Sequence, residues 1–513
     1  MIKVSGSAVA TIDRSCPEYK ALLDAHSRLA KKDNTLWGKQ AEAEAEAAIR
    51  LNWVDLPNDS RDLLPTLDAL AAKHRDKTFF ILCGMGGSSL GPEVIAVTHQ
   101  KSLFVLDSTD PNHVQRALGN DLSKTLVIIS SKSGTTIETM SHRSIFEEAF
   151  EKQSLDPTAH MVFVTDPDSP LDERVRKHGY SVINADPHVG GRFSVLSAFG
   201  LVPAALIGVD VSVLLDDAND AKKSFLLDPN LVCDIAFLLA YQSDQYVAFN
   251  DSDSGLPGLS DWVEQLIAES TGKNQIGRLP IVVKDFKDVH GGNCFNVAFS
   301  GNADLVVQAD LSAQFILWEW VTSLLCFALK VDPFNQPNVT EAKDATSKLL
   351  SQWKGSKPVF NADHVEAAVE IYGKGSSVKD ALNLLIASVP TDGYIAVMAY
   401  LDRFDDSALA ELQSILSQKA DRPVTFGWGP RFLHSTGQFH KGGQPNGVFL
   451  QITGEHQSEI KIPGEEIDLS TLIAAQALGD ANALTLRKYP LLRFNLKSRK
   501  DGITELIAAA KSL

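Results

Sequence analysis

The sequence contains little that is typical of a secreted or nucleic-acid-binding protein. Its 513 residues include only five cysteines, none of which form a C-x-x-C pair. Scattered thiols of this kind are typical of a reducing compartment and provide neither a disulfide framework nor a zinc site. The 48 Lys and Arg residues are outnumbered by 64 Asp and Glu residues, which gives a net charge of −16. The chain therefore lacks the basic footprint of a protein that binds nucleic acid.

Signals for targeting, membrane insertion and metal binding are also missing. The first residues, Met-Ile-Lys-Val-Ser, contain no apolar signal core, and the apolar stretch over residues 315–331 is interrupted by Glu319. There is no H-E-x-x-H motif and no Asp/His cluster with the spacing of metal ligands. We therefore expect a cytoplasmic protein with no metal, no nucleic-acid partner and no membrane partner.

The length and the hydrophobic pattern predict an α/β protein with several domains. A chain of this length is too long for one hydrophobic core and suggests about three domains. Residues 1–78 are predicted to be a helical segment. Short apolar runs then alternate with helical stretches, a rhythm typical of mostly parallel sheets. We predict two doubly wound, mostly parallel sheets flanked by helices, over residues 79–200 and 201–343, and an additional α/β region over residues 344–513.

The predicted elements are assigned from apolar runs and from residues that break helices. Strands are predicted over residues 79–82, 103–106, 126–129, 161–164 and 180–183, then 280–283, 295–299 and 305–307, then 394–400, 424–426 and 448–452. Helices are predicted within residues 198–240, over 313–329 and over 407–416. Residues 331–337 contain too many breakers to be helical.

Two loops rich in glycine and hydroxyl groups are the most informative local feature. Residues 84–91 (Gly-Met-Gly-Gly-Ser-Ser-Leu-Gly) and 131–138 (Ser-Lys-Ser-Gly-Thr-Thr-Ile-Glu) each follow a run predicted to be a buried strand. Each should lead into a helix whose first N–H groups are free, and glycine lets a ligand approach the backbone closely. One such loop could equally be a tight turn with capping residues. Two in succession favour a site for phosphate or another small anion.

A dinucleotide-binding motif is the main alternative for the first loop. Gly84 and Gly86 fit the G-x-G-x-x-G pattern, and Asp107 ends the next predicted strand, but Ser89 stands where the last glycine is required. A nicotinamide enzyme would also have no use for the second loop. The pair of loops instead resembles the SIS sugar-phosphate-binding module, in which such loops hold a phosphate.

Three further motifs narrow this resemblance. They are Gly-Gly-Arg-Phe-Ser-Val-Leu-Ser at residues 190–197, Glu-Ser-Thr-Gly-Lys at 269–273 and Asp-Pro-Phe-Asn-Gln-Pro-Asn-Val at 332–339. With Lys343 after the last of them, they resemble the signatures of the phosphoglucose isomerase family in their usual order. The remaining C-terminal region, with Leu-His-Ser-Thr-Gly-Gln-Phe-His-Lys-Gly-Gly at residues 433–443, resembles the isomerase half of bacterial transaldolase/phosphoglucose isomerase fusions.

The resemblance implies a glycolytic and gluconeogenic enzyme that interconverts glucose 6-phosphate and fructose 6-phosphate without a cofactor. This reaction needs ring opening and the transfer of one proton between neighbouring carbons through an enediol. Glu269 is the candidate base, because its small neighbours allow a closed pocket in which loss of water makes a carboxylate a stronger base. Without the family context, a helix-capping surface glutamate would be the commoner interpretation.

Arg192 and two residues of the later motif complete the predicted catalytic set. Arg192 follows two glycines, and the resemblance implies that it stabilises the enediolate, although the sequence alone equally allows a structural partner for a buried carboxylate. The resemblance also implies that Gln336 and Lys343 bring an amide and an ammonium group to the sugar.

The histidine that opens the sugar ring has two candidates. His434 lies in the matching motif, whereas His290 lies at the expected distance after Glu269. We favour His434, because a local loop and the fold position such a residue, and linear distance does not. His440 is a less certain second contact and could equally be solvated. Further contacts with the phosphate and sugar are implied by the resemblance: Gly87, Ser88, Ser131, Lys132, Ser133, Thr136 and Glu138.

Other functions and assemblies remain open at this stage. A non-catalytic SIS-type sensor would keep the hydroxyl loops but would not need Glu269 or Lys343. A related isomerase could also accept mannose 6-phosphate or an aminosugar phosphate. The resemblance implies a homodimer, but the late histidine loop could complete the site within one chain, so a monomer is also open.

Overall fold

The computed structural model describes residues 2–38, 41–355, 357–456 and 458–513, and it has an α/β fold with three sheets. The strands of the described residues are β1 (Lys3–Ser5), β2 (Phe79–Cys83), β3 (Phe104–Leu106), β4 (Thr125–Ser130), β5 (Met161–Thr165), β6 (Ser181–Asn184), β7 (Tyr246–Asn250), β8 (Leu279–Val282), β9 (Phe295–Ala298), β10 (Leu305–Gln308), β11 (His364–Glu366), β12 (Val369–Tyr372), β13 (Tyr394–Ala399), β14 (Val424–Trp428), β15 (Gly447–Gly454) and β16 (Leu491–Leu496).

Helices connect these strands and cover the sheets. The α-helices of the described residues are α1 (Pro17–Leu29), α2 (Ala41–Ala48), α3 (Leu56–Asp59), α4 (Leu64–Lys73), α5 (Leu90–Thr98), α6 (Pro111–Leu118), α7 (Ile137–Lys152), α8 (Pro157–His160), α9 (Pro170–Lys177), α10 (Ala198–Leu206), α11 (Val211–Leu227), α12 (Asn230–Phe237), α13 (Leu259–Thr271), α14 (Leu311–Leu329), α15 (Pro337–Trp353), α16 (Val378–Ala387), α17 (Leu412–Ala420), α18 (Gly437–Gly442), α19 (Leu469–Leu486) and α20 (Arg499–Lys511).

The first sheet is parallel throughout and has the strand order β3-β2-β4-β5-β6. From β2 the chain passes to β3 on one side, and it then returns to β4 on the other. Ligands in doubly wound sheets bind at the carboxyl ends of strands where the winding reverses in this way. The loops after β2 and β4, which carry the glycine and hydroxyl motifs, therefore lie side by side at that point. All five strands predicted for this sheet are confirmed.

The second sheet has the order β1-β10-β9-β7-β8 and is parallel except at β1. The prediction of a wholly helical segment over residues 1–78 misses β1, because three residues at a sheet edge are too short to show a period. It also misses β7, which lies in the middle of the sheet. This strand follows so closely on the apolar helical stretch that ends near residue 242 that its alternation is hard to separate from that stretch.

The third sheet is mixed, with the order β11-β12-β16-β15-β13-β14. Its four strands β16, β15, β13 and β14 are parallel, and β12 and β11 add antiparallel strands at one edge. The sequence predicts β13, β14 and β15 but misses the other three strands. The helix predicted over residues 407–416 begins instead as a 3-10 turn at Ser407–Glu411 and becomes α-helical at Leu412. The additional C-terminal α/β region is confirmed.

Helix α14 is the centre of the largest core. It is long and apolar enough to cross a membrane, but 89% of it is buried within the protein. It packs against α11, α12 and α13. Glu319 on this helix is fully buried, and burial raises the pKa of its carboxyl well above the usual range. This helix is therefore a core helix of the kind found in soluble proteins.

Candidate active site

A cleft of about 620 Å³ opens at the carboxyl ends of β2 and β4. Helix α13 and the segments around residues 191–193, 334–337 and 434 form its other walls. The predicted residues that line it are Gly87, Ser88, Ser131, Lys132, Ser133, Thr136, Arg192, Glu269, Gln336, Lys343 and His434. Eleven predicted residues, spread over residues 87–434 of the sequence, thus line a single cleft.

The second hydroxyl loop has a preformed shape. The backbone N–H of Gly134 donates to Ser131 Oγ at 3.2 Å, and the hydroxyls of Ser133 and Thr135 are 3.0 Å apart. Gly134 has φ +66°, a conformation that favours glycine, and a Cβ there would lie 2.5 Å from the side chain of Leu171. The loop leads into the 16-residue helix α7, whose first N–H groups can bind an anion together with the hydroxyls.

The first loop touches the arginine loop through glycine backbones. A Cβ at Gly87 would lie 2.0 Å from the carbonyl oxygen of Gly191, a distance that no side chain tolerates. The glycine at this position therefore lets the loop after β2 approach the turn at Gly191–Phe193, which carries Arg192. This close contact brings Arg192 next to the hydroxyl loops.

Glu269 and Arg192 form an ion pair inside the cleft. Arg192 Nη1 lies 3.1 Å from Glu269 Oε1, and the two side chains are only 4% and 10% exposed. A charge-assisted pair of this kind holds the carboxylate in one orientation. The sequence allows Arg192 to be either a partner for a buried carboxylate or a cleft residue. In the structure it is both, because it pairs with Glu269 and lines the cleft.

Arg192 is further held by groups from α13 and from the segment before α15. Its Nε donates to Ser270 Oγ at 2.8 Å, and Nη1 donates to Gln336 Oε1 at 3.1 Å. Nη2 donates to the carbonyl oxygens of Pro333 and Asn335. The guanidinium thus joins two predicted motifs, and Gln336 reaches the cleft through this contact.

Lys132 and Lys273 are two lysines whose charge is affected by burial. Burial lowers the pKa of Lys132, and this is opposed by its ion pair with Asp166 at 2.5 Å. Lys273 is 4% exposed, and burial followed by the charge of Arg192 lowers its pKa to about 7. Its Nζ donates to the carbonyl oxygen of Asp332. Lys273 therefore anchors the segment that carries Gln336.

His434 enters the cleft from the C-terminal region and has a carboxylate behind it. Its Nε2 lies 3.3 Å from Glu138 Oε1. Burial would raise the pKa of Glu138, but the hydrogen bond and charge of His434, helped by the charge of Lys343, bring it below its usual value. Glu138 is 4% exposed and is not part of the cleft wall. The structure therefore places Glu138 behind His434, and not on the cleft wall as a sugar contact would be.

The two other predicted histidines lie away from this cleft. The backbone N–H of His290 donates to Ser417 Oγ on α17 at 2.9 Å. His440 is buried next to Tyr394, with 3.0 Å between Nδ1 and the phenol oxygen, and burial followed by the charge of Lys441 lowers its pKa to about 3. His440 is therefore neither a cleft residue nor solvated, because α18 turns it into an aromatic core. The structure brings only His434 to the cleft.

Sequence reasoning missed several residues of the site. Gln265 Nε2 donates to Glu269 Oε2 at 3.2 Å and to the carbonyl oxygen of His434 at 2.9 Å, so it connects the candidate base to the histidine loop. Its position four residues before Glu269 on the same helix face could have indicated this role. Arg50 and Glu46 also line the cleft. They come from the end of α2, and nothing local in their sequence points to a ligand.

No group of three or more His, Cys, Asp or Glu side chains suited to a metal ion occurs among the residues that the structure describes. The cleft's polar lining consists of hydroxyls, amides, one histidine, several cations and the three carboxylates of Glu46, Asp166 and Glu269. This donor set suits a phosphorylated, polyhydroxylated ligand, since hydroxyls and amides bind sugar oxygens and cations bind phosphate.

Comparison with known proteins gives a consistent family. A family model described as phosphoglucose isomerase matches residues 72–277. A glucose-6-phosphate isomerase of Campylobacter jejuni is 32% identical over 284 residues, which cover 50% of this chain and 70% of that protein. A probable glucose-6-phosphate isomerase of Haloarcula marismortui is 34% identical over 236 residues, which cover 44% of this chain and 54% of that protein. The chain thus spans little more than half the length of the Haloarcula protein.

A solved structure agrees in fold. The crystal structure of a glucose-6-phosphate isomerase from Chlamydia trachomatis matches with a TM-score of 0.56 and 19% sequence identity, over 68% of this chain and 88% of that chain. The family model covers both hydroxyl loops, Arg192 and Glu269, and it ends well before His434. Because the family model covers these residues and the match with the Campylobacter enzyme covers 70% of that protein, the chain belongs to the phosphoglucose isomerase family.

Proposed function

We propose that this protein catalyses the reversible isomerisation of glucose 6-phosphate and fructose 6-phosphate through an enediol. The observation that carries the proposal is that Glu269, paired with Arg192, faces the same cleft as the two hydroxyl loops and His434. A base, a cation for a developing oxyanion, an anion site and an acid–base histidine are the groups that this reaction needs. The isomerase names of the relatives support the same choice.

The phosphate would bind at the hydroxyl loops. Ser88, Ser131, Ser133 and Thr136 supply hydroxyls, and the start of α7 supplies N–H groups and the positive end of a helix dipole. Lys132 is neutralised in part by Asp166, so in this proposal it shapes the loop as well as adding charge. The hydroxyls fix the end of the sugar phosphate while its other end reaches Glu269.

His434 would open the sugar ring with the help of Lys343. Glu138 is ionised and can only accept a hydrogen bond, so His434 must carry its proton on Nε2. This leaves Nδ1 as the ring nitrogen that exchanges a proton with the substrate.

Glu269 would then move the proton between C1 and C2. It removes the proton next to the carbonyl group, and the negative charge that develops on the substrate oxygen is stabilised by Arg192. Returning the proton to the neighbouring carbon, with transfer of the hydroxyl proton between O1 and O2 of the enediolate, completes the isomerisation. Gln265 donates to one oxygen of the carboxylate and Arg192 forms an ion pair with the other, so the carboxylate is held in one orientation for both steps.

We place the protein in the cytoplasm and assign it a site that one chain can complete. All the proposed groups, including His434, come from the same chain in the described residues. Both a monomer and a homodimer fit this proposal. Sedimentation velocity of the active protein distinguishes them.

The test is turnover of fructose 6-phosphate, in the presence of a chelator, by the wild type and by Glu269→Gln. We expect activity that resists the chelator and falls by at least about a thousandfold in the variant, because the sole base is lost. Glu264→Gln removes a carboxylate from the same helix outside the cleft and should keep full activity. Binding of fructose 6-phosphate without turnover in the wild type would instead identify a sensor.

A further inference from the structure

The carboxylate behind His434 is itself held by a residue from the C-terminal region. Gln476 lies on α19, is 3% exposed, and its Nε2 donates to Glu138 Oε1 at 2.7 Å. Its Oε1 accepts a hydrogen bond from Thr109 Oγ1 at 2.6 Å. Thr109 is fully buried in the loop after β3. Four side chains from four separate segments therefore form one continuous chain of hydrogen bonds that ends at the cleft.

The direction of each bond in this chain is fixed by Glu138. An ionised carboxylate offers no donor, so the amide NH₂ of Gln476 must face it. The amide oxygen then faces Thr109, whose hydroxyl must donate. Glu138 Oε1 receives both Gln476 Nε2 and His434 Nε2, so the amide holds the same oxygen atom that the histidine uses.

Neither Gln476 nor Thr109 lines the cleft. Gln476 lines a smaller cavity of about 130 Å³ together with Glu138 and His434. Both residues can therefore act on the reaction only through Glu138. Without the amide, the buried carboxylate would be free to turn away from His434, and the hydroxyl of Thr109 would lose its acceptor.

We propose that Gln476, held by Thr109, is a positioning residue for ring opening: it fixes Glu138 so that His434 keeps its proton on Nε2. This inference rests on the proposed function. It gives α19 a task in the reaction that no motif in its sequence indicates. It also predicts that loss of the amide affects ring opening and spares the transfer of the proton by Glu269.

The experiment compares a cyclic substrate with an open-chain one. Fructose 6-phosphate must be opened, whereas 5-deoxyfructose 6-phosphate lacks the hydroxyl that closes the ring and needs no opening. Gln476→Met keeps the side-chain volume and removes both hydrogen bonds. We expect kcat/KM for fructose 6-phosphate to fall about tenfold, the effect of one lost hydrogen bond, with kcat/KM for the open-chain substrate unchanged. Thr109→Val should act in the same direction with a smaller effect.

Gln451→Met is the matched control. Gln451 is also buried, and its Nε2 donates to the carbonyl oxygen of Ala477 on the same helix at 2.8 Å, but it has no contact with Glu138. Gln451→Met should leave kcat/KM for both substrates unchanged. An equal loss on both substrates in Gln476→Met would mean a merely structural role and would overturn the inference, as would no loss on either.

A spectroscopic measurement separates this inference from the proposed function. Long-range ¹H–¹⁵N correlation spectra report which nitrogen of His434 carries the proton, whether or not the protein turns over substrate. We expect a single Nε2–H tautomer in the wild type and a mixture in Gln476→Met. If the wild type lacks isomerase activity but the tautomer changes in this way, the proposed function fails and the positioning role stands. An unchanged tautomer would refute the positioning role.

Discussion

The loops after β2 and β4 line the same cleft as His434. The histidine loop, residues 431–443, is held in place differently from the second of those loops. Hydrogen bonds between residues at most five apart shape the hydroxyl loop at residues 131–136, and the ion pair of Lys132 with Asp166 adds a longer-range contact. The histidine loop is shaped by distant partners. Arg431 pairs with Glu93 and Asp107 of the first sheet region, at 2.6 and 2.8 Å. The groups proposed to bind phosphate are thus shaped mainly by local contacts, whereas the group proposed to open the ring depends on the assembly of the whole fold.

The largest expected effect comes from breaking the distant anchor of the histidine loop. Lys441 and Asp480 form an ion pair at 2.6 Å with both side chains 1% exposed. Asp480→Ala leaves a buried ammonium without its partner and should lower the free energy of unfolding by about 3–5 kcal/mol. Urea unfolding measures this. The double variant Lys441→Met/Asp480→Leu should recover most of the loss, and a single variant as stable as the wild type would contradict the anchor.

Arg192→Ala tests the contact between the hydroxyl loops and the pair formed by Arg192 and Glu269. Loss of the guanidinium removes the cation proposed to stabilise the enediolate, so we expect kcat to fall by about two to three decades. Arg192→Lys keeps the charge but cannot contact Ser270, Gln336 and Glu269 together, so its kcat should lie between those of the wild type and Arg192→Ala. Steady-state kinetics with fructose 6-phosphate measures both. Equal kcat in all three proteins would remove Arg192 from the mechanism.

Replacing the histidines one at a time shows which loop opens the ring. His434→Ala should reduce turnover of cyclic fructose 6-phosphate by about a hundredfold, the usual effect of losing an acid–base group. His290→Ala serves as the control, since His290 lies against α17, and it should leave kcat within about twofold. The reverse result would assign ring opening to His290 and would mean that this arrangement of the cleft is not the active one.

The smallest expected effect is a pH dependence of stability from the buried end of the same loop. Burial and the charge of Lys441 lower the pKa of His440 to about 3 in the folded protein, against about 6.5 when unfolded. The unfolded chain therefore binds a proton below about pH 6.5 that the folded chain excludes, and stability falls as the pH falls from 6.5 towards 3. At pH 5 the loss from this group is about 2 kcal/mol.

Urea unfolding at pH 7.5 and pH 5 measures this difference. His440→Gln should reduce the change between the two pH values, even if it lowers stability at both. His178→Gln alters a histidine that is exposed, and it should leave the change as in the wild type. An undiminished change in His440→Gln would mean that other buried histidines carry the whole effect.

The two kinds of loop also explain what could be predicted from the sequence. Strand–loop–helix units carry their signal within about ten residues, so β2, β4 and their hydroxyl loops are predicted correctly. Helix α19 carries no motif, and Gln476 becomes important only because the fold brings it to Glu138. Arg50 likewise lines the cleft only because the fold brings the end of α2 there. Short edge strands such as β1 and β11 have too few residues to show a period, and tertiary pairing alone makes them strands.

The late position of the histidine loop has a consequence for synthesis. Domains generally fold in order as a chain leaves the ribosome. The first two sheets, helix α14 and the predicted site residues as far as Lys343 are all made before the third sheet begins at β11, yet His434 and Gln476 have still to follow. On the proposed assignment, a nascent chain would therefore hold a sugar phosphate before it could open one. A premature stop within the third sheet would then leave a binding protein in place of a catalyst.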